Sequence, residues 1–221
     1  MNFDAVDGVL FDMDGTLVDS EPHTLAAMEA VLTEHGLGPL TLGPADVFGM
    51  SWDAISERML STHPQISSDS LVGSLILHFR RICSMDGATL LPGVLEFFSW
   101  AADHHTVGLF TSNVRSEVDA LLGEYAAFRR LEAIVTADDV AEAKPNPEGY
   151  LLLAKTLELE PARCVVFEDS LAGLKAAKAA GMRTVGVTHS CPDVSIISPY
   201  ADTLISDYRS LSAFIGGRPI S

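Results

Sequence analysis

The sequence predicts an α/β protein: a parallel sheet core with helices on both faces, plus a small all-helical domain inserted after the first strand. Three observations predict it. From about residue 106 onward, short apolar runs alternate with helical patterns, and strands spaced by helices build parallel sheets covered on both faces. Between about 20 and 90 the apolar spacing is helical, with no convincing strand. Acidic residues recur directly after the apolar runs, and open parallel sheets carry their sites at the carboxyl ends of the strands.

In chain order, Val6 to Phe11 is an apolar run ending in acids, a buried strand. Glu21 to Gly36 is helical: Pro22 suits a first turn, Gly36 suits a stop, and Leu25, Ala27, Met28, Val31 and Leu32 fall at helical spacings. Two further helices are predicted at about Ser51 to Leu60 and Ser68 to Met85. Strands then return at Thr106 to Thr111, Ala133 to Thr136, Cys164 to Phe167, Thr184 to Val187 and Thr203 to Ile205. The helices between them are Ser116 to Gly123, Glu148 to Leu159, and Leu171 to Ala180 closed by Gly181. The expected domains are 1–19 with 91–221, and 20–90. The crossings near Val18 to Ser20 and Leu90 to Gly93 are the expected hinges, and the tail after Gly216 is expected to fray.

The chain has 221 residues, 48% hydrophobic and 20% charged, which suffices for a sizeable core. Acidic residues number 30 and basic residues 14, a net charge of −16 that repels nucleic acid and anionic lipid. It also repels an anionic substrate, so chemistry on phosphates needs a metal or a few placed cations. Three scattered cysteines give neither a disulfide framework nor a Cys-x-x-Cys pair. The first residues, with Asp4 and Asp7, do not resemble a signal peptide, and no apolar run is long enough to span a bilayer. A cytoplasmic protein, monomeric or dimeric, is the expectation.

Four segments carry chemistry. The first strand runs into Asp12-Met13-Asp14-Gly15-Thr16. Two unit charges about 4 Å apart repel by about 4 kcal/mol at an effective dielectric of ~20, so paired carboxylates there are costly. A turn at Gly15 can aim both into one pocket; the plainer reading is two solvated loop acids. Thr111-Ser112-Asn113 ends another strand and offers hydroxyls to a phosphate oxygen, or simply caps a turn. Lys144 sits in Ala143-Lys144-Pro145-Asn146-Pro147, where two prolines stiffen the backbone; it is a fixed ammonium for an acidic pocket, or a surface lysine. Glu168-Asp169-Ser170 follows a third apolar strand, giving hard oxygen ligands suited to magnesium, or an N-cap for the next helix.

DMDGTLVDSEP, TSN, KPNPEGY and FEDSLAGLKAAKAAGM together resemble the four motifs of the haloacid dehalogenase-like (HAD) superfamily, in the family's order. The insert resembles its helical cap of the C1 type, on a Rossmann-like core, and the sugar phosphatases and β-phosphoglucomutases are the nearest in pattern. The resemblance implies that Asp12 attacks phosphorus and that Asp14 protonates the leaving oxygen and then accepts a proton from water. It implies a bound Mg2+ held by Asp12, the backbone carbonyl of Asp14 and Asp169, with Glu168 a ligand or a supporting partner. Thr111 and Lys144 would bind the phosphoryl group, Ser112 and Asn113 would assist, and Ser170 could hold a metal-bound water.

Dehalogenases and phosphonatases of the superfamily lack the second acid, so Asp14 implies phosphate-ester chemistry on a small-molecule phosphate. The β-phosphoglucomutases carry Gly-x-Ser-Arg in the cap; here the stretch reads Gly49-Met50-Ser51-Trp52, with tryptophan in place of arginine. The expectation is therefore a phosphatase for a sugar or polyol phosphate. A phosphomutase is the alternative, and a non-catalytic binding or regulatory protein the third reading. His23, Met50 and Trp52 are the candidate substrate-facing cap residues. Trp52 and Met50 can equally be cap core, and His23 reads first as a helix-surface residue.

Overall fold

The computed structural model describes residues 3, 5–47, 50, 52–189, 191 and 193–212. The expectations that fall on Gly49, Ser51, Asp4 and the tail after Gly216 lie outside them. The elements are β1 (Gly8–Phe11), α1 (Glu21–Glu34), α2 (Pro44–Val47), α3 (Trp52–Thr62), α4 (Leu71–Asp86), α5 (Val94–His104), β2 (Thr106–Phe110), α6 (Arg115–Glu124), β3 (Ala133–Val135), α7 (Glu148–Thr156), β4 (Cys164–Glu168), α8 (Leu171–Ala179), β5 (Arg183–Val187), α9 (Val194–Ile197) and β6 (Thr203–Ile205). The chain divides into two compact units, Met1–Asp19 with Leu90–Ser221, and Ser20–Thr89.

The first unit holds a six-stranded sheet in the order β3-β2-β1-β4-β5-β6, every pair parallel. This is the Rossmann-like α/β architecture. Strand order reverses between β1 and β4, and that switch point opens a crevice beyond their carboxyl ends. The register sets Phe11 level with Phe167 and with Leu109, so the residues after β1 emerge beside the last residue of β4.

Alternate residues of the strands feed two separate cores, as a period of two requires. Leu10, Phe110 and Val166 join Tyr150, Leu153 and Ala154 of α7 and Ala176 and Ala177 of α8 on one face. On the other, Phe11 stacks on Phe167 at 5.4 Å and meets Phe98 and Phe97 of α5 at 5.6 and 6.3 Å. Tyr208, in a 3-10 turn, stacks on Phe167 at 5.5 Å. Each such fully buried side chain contributes about 1.5–3 kcal/mol.

Helix α5 matches the helix expected before His104 and His105, for which the sequence pattern sets no bounds. Its buried residues Val94, Phe97, Phe98 and Ala101 keep helical spacing, but Pro92 and Gly93 in front read as a linker. Helix α7 stops at Thr156, earlier than the predicted Leu159. Glu158 adopts φ 56°, and the Leu159 N–H bonds back to the Ala154 carbonyl at 2.9 Å. That left-handed turn normally carries glycine, so the sequence holds no stop signal there.

The second unit contains helices and no strand among its described residues. Met28, Val31 and Leu32 of α1, Ile55 and Met59 of α3, and Leu71 and Leu75 of α4 form its core. In the first unit, Val18 bridges Leu90 and the Leu91 N–H bonds the Leu17 carbonyl at 3.0 Å, which sets the two crossing strands of chain side by side. No described helix is long and apolar enough to cross a membrane.

Candidate active site

The site is built at the carboxyl edge of β1 and β4. Asp12 directly follows β1; its N–H bonds the Phe167 carbonyl at 3.0 Å and its side chain is nearly buried. The chain then turns sharply: the N–H groups of Thr16, Leu17 and Val18 all converge on the Met13 carbonyl, at 3.3, 2.8 and 3.0 Å. Gly15 sits at φ 69°, which a side chain adopts only with strain. Space forbids a side chain there as well, because a Cβ would lie 2.0 Å from the Asp169 carboxylate. The glycine thus lets the first loop close onto Asp169, and the Thr16 hydroxyl donates to that carboxylate at 3.5 Å. Asp14 accepts a hydrogen bond from the Asn113 side-chain amide, which ties the second acid to the end of β2.

Lys144 reaches this cluster from the segment before α7, across a cis bond to Pro145. Its Nζ contacts Asp12 Oδ1 at 2.5 Å and Glu168 Oε1 at 2.6 Å, and its side chain is 6% exposed. The other oxygen of Glu168, Oε2, accepts from the Ser170 N–H at 2.7 Å and the Ser170 hydroxyl at 2.9 Å. The Ser170 Oγ in turn accepts from the Gly173 N–H at 3.0 Å and caps α8. Both Glu168 oxygens accept from protein donors, so Glu168 orients Lys144, and its carboxylate also stands in the acidic cluster with Asp12 and Asp169.

Burial above all, helped by Glu168 and Asp14 and opposed by Lys144, raises the Asp12 carboxyl to about 7. Burial works against the Lys144 charge too, but Asp12 and Glu168 hold its ammonium well above the ordinary lysine value, so it stays protonated. Two carboxylates, Asp12 and Glu168, meet the Lys144 ammonium, and Asp14 and Asp169 add to the negative charge of the cluster. Asp12, Glu168 and Asp169 each bring a carboxylate oxygen within 4.8 Å of the others. Hard oxygen donors that are short of positive charge suit a divalent cation such as Mg2+.

Thr111 is buried, follows β2, and its hydroxyl accepts from the Asn113 N–H at 3.1 Å. Thr111, the exposed Ser112 and Lys144 line a cavity of about 180 Å³ with Phe110 and the small side chains of Ala137, Ala141 and Ala143. The structure thus brings Asp12, Asp14, Asn113, Lys144, Glu168 and Asp169 into one network, with Thr111 and Ser112 at its edge. His23, Met50 and Trp52 belong to the helical unit. There Trp52 packs edge-on to Phe79 at 5.2 Å and His23 approaches the same ring at 6.5 Å, while Met50 is 39% exposed. His23 is buried, not a surface residue as its helix position had suggested.

Sequence reasoning missed residues whose part is to leave or fill space. A Cβ on Gly173 would lie 1.6 Å from Glu168 Oε1, so the Glu168 carboxylate folds over α8 only because that position is glycine. Gly149 clears the Phe110 ring in the same way, a Cβ there falling 2.1 Å from Cζ. Both glycines lie inside the motifs quoted above, each five residues beyond a charged group, Gly149 beyond Lys144 and Gly173 beyond Glu168. That fixed offset is the one signal that could have found them.

Fold and site together define an α/β enzyme whose chemistry gathers carboxylates and a lysine at the switch point of a parallel sheet. The chain belongs to the haloacid dehalogenase-like hydrolases; the family matches residues 6–181. It is 32% identical to the putative phosphatase YhcW of Bacillus subtilis, over 91% of this chain and 92% of that protein. It is 31% identical to the fructose-1-phosphate phosphatase YqaB of Escherichia coli, over 81% of this chain and 95% of that one. A solved structure of a putative β-phosphoglucomutase from Thermotoga maritima superposes with a TM-score of 0.72 at 29% identity, covering 90% of this chain and 94% of the other.

Proposed function

We propose that the protein is a magnesium-dependent phosphatase that hydrolyses a small sugar or polyol phosphate through an aspartyl-phosphate on Asp12. The observation that carries this reading is the bridge from Lys144 to Asp12 and Glu168, with Asp169 and Asp14 alongside. The relatives named above, two phosphatases among them, point the same way.

Asp12, Asp169 and the backbone carbonyl of Asp14 would hold Mg2+, which would offset the carboxylate charge and draw electron density from the phosphoryl oxygens. Lys144 and Thr111 orient the phosphoryl group toward Asp12. An Asp12 oxygen attacks phosphorus, the ester P–O bond breaks, and protonated Asp14 gives its proton to the departing alkoxide. Asp14 then takes a proton from the incoming water, the water oxygen bonds to phosphorus, and the Asp12 O–P bond breaks to release inorganic phosphate. The Asn113 amide holds Asp14 for both transfers, a more specific part than assistance to the phosphate.

The unit 20–90 acts as a cap, with the crossings near Val18 to Ser20 and Leu90 to Gly93 as its hinge and His23, Met50 and Trp52 as its substrate-facing residues. Trp52, standing where the mutases have arginine, favours hydrolysis over transfer to a second phosphate site. The test is release of inorganic phosphate from a panel of hexose, pentose and polyol monophosphates. The wild type releases phosphate with Mg2+ and stops on chelation, and Asp12→Asn falls by about 10³-fold or more. Wild-type turnover in Asp12→Asn overturns the mechanism; isomerised sugar phosphate without free phosphate points to the mutase.

A further inference from the structure

The Lys144 ammonium has a wall that the chemistry above does not use. Its Nζ lies 4.8 Å from the centre of the Phe110 ring and 5.4 Å from that of Tyr150. Both are inside the ~6 Å range over which a ring face attracts a cation, and the attraction grows where water is excluded. Both rings are buried, and they meet edge to face at 4.9 Å. The Tyr150 hydroxyl is buried and makes no hydrogen bond of normal geometry with any described residue. The hydroxyl stands near the ammonium without good hydrogen-bond geometry, so the contact that Tyr150 makes with it is its ring.

The hydrogen-bond count gives this wall a purpose. An ammonium has three N–H groups. Two are spent on Asp12 and Glu168, and among the described residues the third reaches the Phe110 carbonyl at 3.4 Å, a long contact, with the Tyr150 hydroxyl nearby. That third N–H is the one free to turn to a phosphoryl oxygen. Ring contacts are non-directional enough to hold Nζ in place while it changes partner. The Phe110 ring in turn needs the room left at Gly149.

We propose that Phe110 and Tyr150 are positioning residues that hold the Lys144 ammonium by their ring faces where it meets the transferring phosphoryl group, with Gly149 reserving the space for Phe110. This rests on the reading of Lys144 as the phosphoryl-binding cation. The test is a mutant cycle of Tyr150→Leu and Lys144→Met, with Tyr150→Phe alongside. Affinity for inorganic phosphate is measured by calorimetry with Mg2+ present, and kcat/KM on the best ester.

Tyr150→Leu weakens phosphate binding and lowers kcat/KM, each by about tenfold, while Tyr150→Phe stays within about twofold of the wild type. In the Lys144→Met chain, Tyr150→Leu makes no further difference to phosphate affinity. Equal weakening in both backgrounds overturns the proposal, as does no weakening, or a Tyr150→Phe loss equal to that of Tyr150→Leu. Should Tyr150→Leu fail to give a cooperative thermal melt, Phe110→Leu takes its place in the same cycle with the same outcomes. A wild type that neither turns over an ester nor binds phosphate overturns the phosphatase reading and this inference together. Normal wild-type turnover with no ring effect overturns this inference alone.

Discussion

Lys144 and Glu168 form a buried ion pair at 2.6 Å, and each depends on the other. Removing one partner of such a pair costs more than the pair contributes, because an uncompensated charge is left behind. Lys144→Met should therefore lower kcat by 10²-fold or more and reduce stability by about 3 kcal/mol, read by activity and by urea unfolding. Gly173→Ala gives a sharper contrast. In a helix, alanine is better than glycine by about 1 kcal/mol, so helix propensity alone predicts a more stable protein. The Cβ clash with Glu168 predicts the opposite, a lower melting temperature with kcat/KM reduced at least tenfold. A variant that is more stable and fully active would remove Gly173 from the account. The charged residues of this network were legible in the sequence because two acids, or an acid and a lysine, at strand ends are costly without a purpose. The glycines and ring faces were not, since the space they leave or fill exists only once distant segments have packed.

At the scale of elements, the parallel register does the assembling. Because Phe11 and Phe167 lie level, Asp12 and Glu168 leave the sheet on adjacent strands without further adjustment. Phe11→Ala should cost about 3–5 kcal/mol, since the fully buried ring contacts Phe97, Phe98 and Phe167. Denaturant midpoints would show this, and a loss below about 1 kcal/mol would mean the core closes over the gap. The alternating pattern revealed the strands and most helices because strand and helix periods differ. It left α5 without bounds, its helical spacing standing behind a Pro-Gly pair, and overran α7, whose turn uses Glu158 in a conformation usually left to glycine.

For the whole molecule, a net charge of −16 makes the surface sensitive to pH and salt. Burial alone would raise the Asp202 carboxyl, but Lys178 and the Thr184 N–H hold it below its usual range. A carboxyl whose folded pKa is depressed stabilises the protein fully above its unfolded pKa of about 3.9, and that contribution is lost as pH falls through the folded value. The stability difference between wild type and Asp202→Asn should thus be constant from about pH 5 upward and shrink steadily once pH falls below the unfolded value of about 3.9. A difference that persists at the acid end would assign the effect to packing.

The division into two units adds a point that no single element carries. Within the first unit, Val18 and Leu90, next to the ends of the insert, lie side by side, and Val18 also bridges Asp14. The claim on which this whole arrangement turns is that Asp12 takes the phosphoryl group. Acid quench during turnover on the best ester, followed by peptide mass spectrometry, tests it directly. With Mg2+ present, the peptide bearing Asp12 should carry one acid-quenched phosphoryl group, and chelation should abolish it. Steady turnover with that peptide unmodified throughout, or with the phosphoryl group on another residue, would contradict the account.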